Sequence, residues 1–162
     1  MGALMNGLVL HGGVIGACGT FFVFSDYMKP AVRMAALMEV PVKFIWTHDA
    51  FRVGEDGPTH QPIEHEAQLR LLEKMQNHAG KMSMLALRPA DAAETSVAWK
   101  MAMENTETPT ALVLSRQNIN DLPAATDRYT EALKAEKGAY IVQKNGENPK
   151  VILIASGSEV AT

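Results

Sequence analysis

Sulfur chemistry is scarce in this chain. One cysteine, Cys18, occurs among 162 residues, so no internal disulfide can form and no CxxC or Cys/His zinc pattern exists. A reducing compartment, and hence a cytoplasmic location, is expected. Positive charge is not in excess either. Fifteen Lys and Arg stand against eighteen Asp and Glu, a net −3, which argues against a non-specific nucleic-acid partner. Charge of either sign is missing from Met1 to Ser25. That stretch nevertheless holds six glycines (2, 7, 12, 13, 16 and 19) with Asn6 and His11, and it lacks the roughly 18 unbroken apolar residues of a membrane span. It reads as a buried helix, a glycine turn and a buried strand, and no membrane partner is expected. Glycine-based phosphate loops are also lacking. Gly13, Gly16 and Gly19 do not make G-x-G-x-x-G and precede a strand instead of following one, and neither a P-loop nor G-x-S-x-G is present.

Apolar residues at 47% and charged residues at 20% are the balance of a globular protein with a real core. Strand-like and helix-like segments alternate. Met1–His11 is apolar at helical length and Gly12–Gly13 ends it. Thr20–Phe24 reads as a strand, and Ser25 and Asp26 as N-caps of a helix whose stripe runs through Val32, Met34, Ala35, Leu37 and Met38, with Pro30 in its first turn. Val42–Thr47, Ser83–Leu87 and Thr110–Ser115 read as further strands, Glu64–Gln76 as a helix, and Asp91 with Glu94 as a capping box for a helix through Met103. Ala139–Gln143 and Val151–Ser156 look like strands, and Ser156–Glu159 opens another helix. The fold class is α/β, a parallel sheet with helices on both faces. The chain starts within an apolar helix and stops one turn into a new element, so a piece of a longer protein, incomplete at both ends, is expected.

In parallel sheets, ligands sit beyond the C-terminal strand ends. Three segments fall there: Ser25–Tyr27, His48–His60 and Ser115–Asn118. The loop from His48 to Pro62 concentrates His48, Asp49, Glu55, Asp56 and His60 between glycines and prolines. Its histidines can donate to hydroxyls or phosphate and move protons near neutral pH, and Asp56 can accept from a hydroxyl. A loop of about 15 residues without structure of its own is uncommon unless it functions, although a solvated turn is the plain alternative. Phe21, Phe24 and Tyr27, three apart, either wall a flat heterocycle or pack in the core. Arg116 after a strand end suits a bidentate phosphate contact or a surface ion pair. His60, Glu64 and His65 lack the H-E-x-x-H or H-x-x-E-H spacing of a zinc site.

Taken together, GTFFVFSDYMKPAVRMAALMEVPVKFIWTHD, GEDGPTHQPIEH, LRPADAAETSVAWKMAM and PTALVLSRQN occur in an order and spacing that resemble the transketolase family over nearly the whole chain. The resemblance implies the pyrimidine-binding domain of a thiamine-diphosphate fold over residues 1–137, then a linker and the start of a C-terminal domain over 138–162. It implies transfer of a two-carbon ketol unit from a ketose phosphate to an aldose phosphate, as in the pentose phosphate pathway, with sugar phosphates as partners and a homodimer as the working enzyme. The implied cofactors are thiamine diphosphate and a divalent metal (Mg or Ca) held by a domain outside this chain. Phe21, Phe24 and Tyr27 match the family's aromatics around the cofactor's aminopyrimidine. His48 and Arg116 match sugar-phosphate contacts, Asp56 the carboxylate that reads a substrate hydroxyl, and His60 the catalytic histidine near the reacting carbons.

Departures are also visible. The family's glutamate that protonates the pyrimidine, and its GDG…Asn metal- and diphosphate-binding motif, are not in these 162 residues, so the chain alone is expected to be inactive. Ala50-Phe51-Arg52 replaces the more usual Ser-Ile-Gly, and Leu72–Met84 is longer than in many relatives, as a surface insertion would be. Two alternatives stay open: a related thiamine-diphosphate enzyme of the dihydroxyacetone synthase or deoxyxylulose-phosphate synthase type, and a non-catalytic binding module of the same fold.

Overall fold

The computed structural model describes residues 1–49 and 51–162, the side chain of Phe51 excepted. Four strands, β1 (Ala17–Phe21), β2 (Lys43–Thr47), β3 (Leu85–Leu87) and β4 (Thr110–Val113), form one sheet in the order β1-β2-β4-β3. All three pairings are parallel, with Cys18 opposite Phe44, Phe44 opposite Ala111, and Ala86 opposite Ala111. Five α-helices are described: α1 (Gly2–His11), α2 (Ser25–Leu37), α3 (His65–Lys74), α4 (Ala92–Glu104) and the short α5 (Arg128–Ala132).

Strand order explains where the helices go. The chain moves across the sheet in one direction from β1 to β2 to β3, then reverses to reach β4. Because parallel crossovers share one hand, the reversal sends α4 to the opposite face from α2 and α3. Side-chain alternation supplies an apolar surface for each layer. Phe44, Trp46, Ala86, Ala111 and Val113 pack with Val32 and Ala35 of α2, Leu69 of α3, and Met5 and Val9 of α1. Leu112, Ile45 and Leu87 on the other face meet Ala98, Trp99 and Ala102 of α4. Trp46 and Phe44, fully buried and stacked with centroids 5.8 Å apart, sit in the larger core. Asn6 Nδ2 ties α1 to α2 by donating to Ala31 O at 2.9 Å.

The α4 N-terminus is capped as expected. Asp91 accepts from Glu94 N at 2.8 Å, while Glu94 reaches back to Ala90 N. Arg128 then fastens α5 to this cap. Its guanidinium lies 2.5 Å from Asp91 Oδ2 and 3.0 Å from Glu94 Oε1, and Tyr140 OH donates to Glu94. Burial and the bond to Glu94 push the Tyr140 phenol up to about 12.

Several local expectations are corrected. The first strand is Ala17–Phe21, not Thr20–Phe24. Its small residues let it approach β2 closely: a Cβ on Gly19 would lie 2.8 Å from Ile45 O. Phe22–Phe24 turns as 3-10 helix, and α2 starts with no side-chain cap from Ser25 or Asp26. Pro30 therefore falls in the helix interior. His48–Pro62 is not structureless, since residues 51–56 and 58–60 form 3-10 turns and Val53 is buried within them. Asn77–Met82 is a tight turn closed by the Gln76–Met82 bridge, with Asn77 Oδ1 accepting from Ala79 N and Lys81 N. Residues 139–143 and 151–156 form no strand. An apolar run becomes a strand only where a neighbouring strand completes its hydrogen bonds; Val151, Ile152, Leu153 and Ile154 have none among the described residues and lie exposed. Gly157–Ala161 forms a 3-10 helix.

Candidate active site

Residues beyond β1, β2 and β4 converge on one end of the sheet. β1 delivers Phe21, and the 3-10 turn after it carries Phe24 to the same side while burying Phe22 against Trp46. This turn separates aromatics that are adjacent in sequence: Phe22 is core, whereas Phe21, Phe24 and Tyr27 form a graded shelf with successive centroids 6.0 Å apart. Tyr27 at its outer end is 85% exposed, so the shelf presents a flat apolar surface to solvent.

His48 follows β2 directly. Its backbone is left-handed, with φ 63°, a conformation that costs a non-glycine residue about 1–3 kcal/mol and persists only where neighbours hold it. Its ring stacks on Phe21 at 3.7 Å between centroids, and Nδ1 pairs with Thr47 Oγ1 at 2.9 Å. Burial lowers its pKa, opposed by Asp56 and assisted by Arg116 and His60. The shift favours the neutral ring, which keeps one N–H to donate. His60 closes the other side of the shelf, edge-on to Phe24 at 5.3 Å and to Phe21 at 6.2 Å, with Nδ1 2.9 Å from Thr59 Oγ1.

Asp56 lies between two nitrogen donors. Its Oδ2 is 3.9 Å from His48 Nε2 and 3.8 Å from Arg116 Nε. Arg116, delivered by the turn after β4, rests on Gly54, where a Cβ would sit 3.3 Å from its Nη1. Gly54 has φ +80° and ψ −135°, which only glycine adopts without strain. All seven residues singled out in the sequence thus gather around one end of the sheet. Ala50 and the bulk of Phe51, flagged there as departures, lie outside what is described.

Sequence reasoning missed two features. Arg88, just past β3, pairs through Nε with Asp49 Oδ2 at 3.0 Å, the aspartate buried and the arginine partly so. The usable signal was an arginine closing a strand immediately before Pro89. Asp26, Glu64 and His65 also gather, with His65 Nε2 3.1 Å from Asp26 Oδ2 and Nδ1 3.8 Å from Glu64 Oε2. Lys29 already occupies the other Asp26 oxygen at 3.0 Å and, with His65, holds that carboxyl below its ordinary range. Concavities of about 400 Å³, at the N-terminal ends of β3 and β4, and about 190 Å³, between α2 and α3, include none of the shelf residues.

A parallel sheet with helices on both faces, bearing an open aromatic shelf beside two histidines, a carboxylate and a guanidinium at its C-terminal strand ends, defines an α/β domain with a candidate site where such sheets carry their ligands. A family profile described as "Transketolase, pyrimidine binding domain" matches residues 1–121; the chain belongs to the transketolase family. It is 52% identical over 162 residues to the transketolases of Bacillus subtilis and Geobacillus stearothermophilus, covering 99% of this chain and 22% of each relative. A crystal structure of Pichia stipitis transketolase in complex with sedoheptulose 7-phosphate superposes with a TM-score of 0.84 at 41% identity, over 99% of this chain and 22% of that one. The chain thus spans about a fifth of the length of these relatives.

Proposed function

We propose that this chain is the pyrimidine-side segment of a transketolase, with residues 1–137 as the pyrimidine domain and 138–162 leading into a C-terminal domain. In this reading it serves transfer of a two-carbon ketol unit between sugar phosphates in the cytoplasm, as part of a homodimer. The observation that carries the reading is the shelf of Phe21, Phe24 and Tyr27, open on one side and flanked by His48 and His60.

That shelf fits the aminopyrimidine of thiamine diphosphate: stacked rings offer dispersion and quadrupole contacts to a planar heterocycle without demanding a charge. The cofactor, when bound, supplies the nucleophilic carbon that takes up and hands on the two-carbon unit. No diphosphate cradle fits among the described residues. Asp26, Glu64 and His65 share their space with Lys29, so they are a poor match to a diphosphate-bound divalent ion, and the metal is assigned to protein outside this chain.

The chain's own side chains then have distinct tasks. His60 stands edge-on to the shelf and exchanges protons with hydroxyl and carbonyl oxygens of the sugar. Asp56 accepts from a substrate hydroxyl, exchanging its long contacts to His48 and Arg116 for a shorter one. Arg116 grips the phosphate through its guanidinium fork, and His48 donates from a neutral ring. The aromatic wall excludes water from the reacting carbons.

The test is a graft. The 162 residues replace the matching segment of B. subtilis transketolase, and ketol transfer is measured with a ketose phosphate donor, thiamine diphosphate and magnesium. Turnover is expected, with a loss of about 10²–10⁴-fold on His60→Ala and a raised cofactor requirement on Phe24→Ala. A folded, dimeric graft without turnover refutes the reading and leaves a binding module. Formaldehyde outcompeting ribose 5-phosphate as acceptor points instead to a dihydroxyacetone synthase.

A further inference from the structure

We propose that Arg88 is a positioning residue that couples docking of the Ser156–Ala161 segment to the geometry of the His48 loop. The observation is one guanidinium shared between two distant pieces of chain. Its Nε meets Asp49 Oδ2 at 3.0 Å, Nη2 meets Glu159 Oε2 at 2.6 Å, Nη1 donates to Ser156 O and Oγ at 3.1 and 3.0 Å, and Glu66 Oε2 stands 3.6 Å from Nη1. Backbone joins in, with Gly157 N donating to Arg88 O at 3.1 Å.

Each side of this junction depends on the arginine. The Asp49 side chain is 1% exposed and its Oδ1 has no hydrogen-bond partner among the described residues, so Arg88 is the cation that compensates its burial. A buried carboxylate stripped of its cation is strongly unfavourable. Asp49 adjoins His48, whose left-handed backbone persists only where its surroundings hold it; Phe21 and Thr47 restrain its ring, and Arg88 holds the residue next to it. On the other side, Gly157 has φ +60°, and a Cβ there would lie 2.8 Å from Arg88 Nε and 2.9 Å from its Cγ. The docked segment thus seats directly on the arginine stem. Displacing either partner moves the group that holds the other.

The coupling is independent of ketol transfer, and only its kinetic consequence rests on the function proposed above. In the graft described there, amide hydrogen exchange is followed by mass spectrometry for Gly157→Ala, Arg88→Met and Arg88→Lys. Gly157→Ala, remote in sequence from the loop, is expected to speed exchange about fivefold or more over 156–161 and also over 48–56, the low end of linkage between coupled sites. Arg88→Met is expected to do the same, and Arg88→Lys, which keeps the charge and loses the fork, to recover part of the protection. The donor KM should rise by a larger factor than kcat falls, because His48 moves while His60 does not. Exchange rising over 156–161 alone in Gly157→Ala, with 48–56 as in the parent, overturns the inference. Should Arg88→Met fail to fold, Gly157→Ala still decides it. A graft lacking turnover with both segments loosened together would sink the functional reading and leave the coupling standing.

Discussion

Lys43 gives the sharpest stability test. It opens β2 with its side chain on the α4 side of the sheet, 2% exposed, and its Nζ donates to Asn105 O at 2.7 Å. Burial lowers its pKa from 10.5 to about 8. Below about pH 8 the folded and unfolded chains both carry the proton, and the full cost of burying the charge is present. Between about pH 8 and 10.5 the folded chain has released it while the unfolded chain keeps it, so the unfolded state binds more protons and stability rises with pH. At roughly 1.4 kcal/mol per pH unit the ceiling is about 3 kcal/mol, and screening by water near the strand end brings the expected gain to about 1–2 kcal/mol. The assay is denaturant unfolding of the parent and Lys43→Met from about pH 7 to about pH 10.5. Tyrosine and the other lysines titrate in both proteins and cancel in the difference. The parent should gain on the variant by about 1–2 kcal/mol across that window. A difference that stays flat would refute the claim that Lys43 is buried with its charge poorly compensated.

Other outcomes follow from the packing and the site. Trp46→Ala should cost about 3–5 kcal/mol in unfolding free energy, and Trp46→Phe much less, since Trp46 Nε1 has no hydrogen-bond partner among the described residues to lose. Arg128→Met strands the fully buried Asp91 carboxylate and should cost about 3 kcal/mol or more by the same measurement. Gly54→Ala forces a side chain into a glycine-only backbone region against Arg116; a loss of about 1–3 kcal/mol is expected, with a raised KM for sugar phosphates in the graft. The 162-residue chain supplied with thiamine diphosphate and magnesium should show no ketol transfer, and turnover by the purified chain would contradict the assignment of the diphosphate grip to protein outside it.

What the sequence made legible depended on how local the signal was. β2 and β4 carry continuous apolar runs flanked by turn residues, so their existence and buried faces could be read directly. The capping box at Asp91 and Glu94 is a four-residue pattern and was equally plain. β1 was misplaced by three residues because Ala17, Cys18 and Gly19 look unlike a strand; their smallness serves the close approach to β2, which only the partner reveals. Val151–Ser156 misled for the opposite reason, being apolar enough for a strand but lacking a neighbour among the described residues. That Phe21, Phe24, Tyr27, His48, Asp56, His60 and Arg116 gather at one end of the sheet was legible through spacing and family motif together. The downward pull on the His48 pKa was not, because it arises from the burial of its ring in the folded chain. Nor was Arg88, whose partners lie 39 and 68 residues away.

The bare strip from Val151 to Ile154 has a practical consequence. Thermolysin, which cuts ahead of aliphatic residues, should nick the polypeptide there while the folded body resists. The peptide so released from covalent continuity would still be clasped at Ser156 and Glu159, and its rate of departure would time the opening of that clasp.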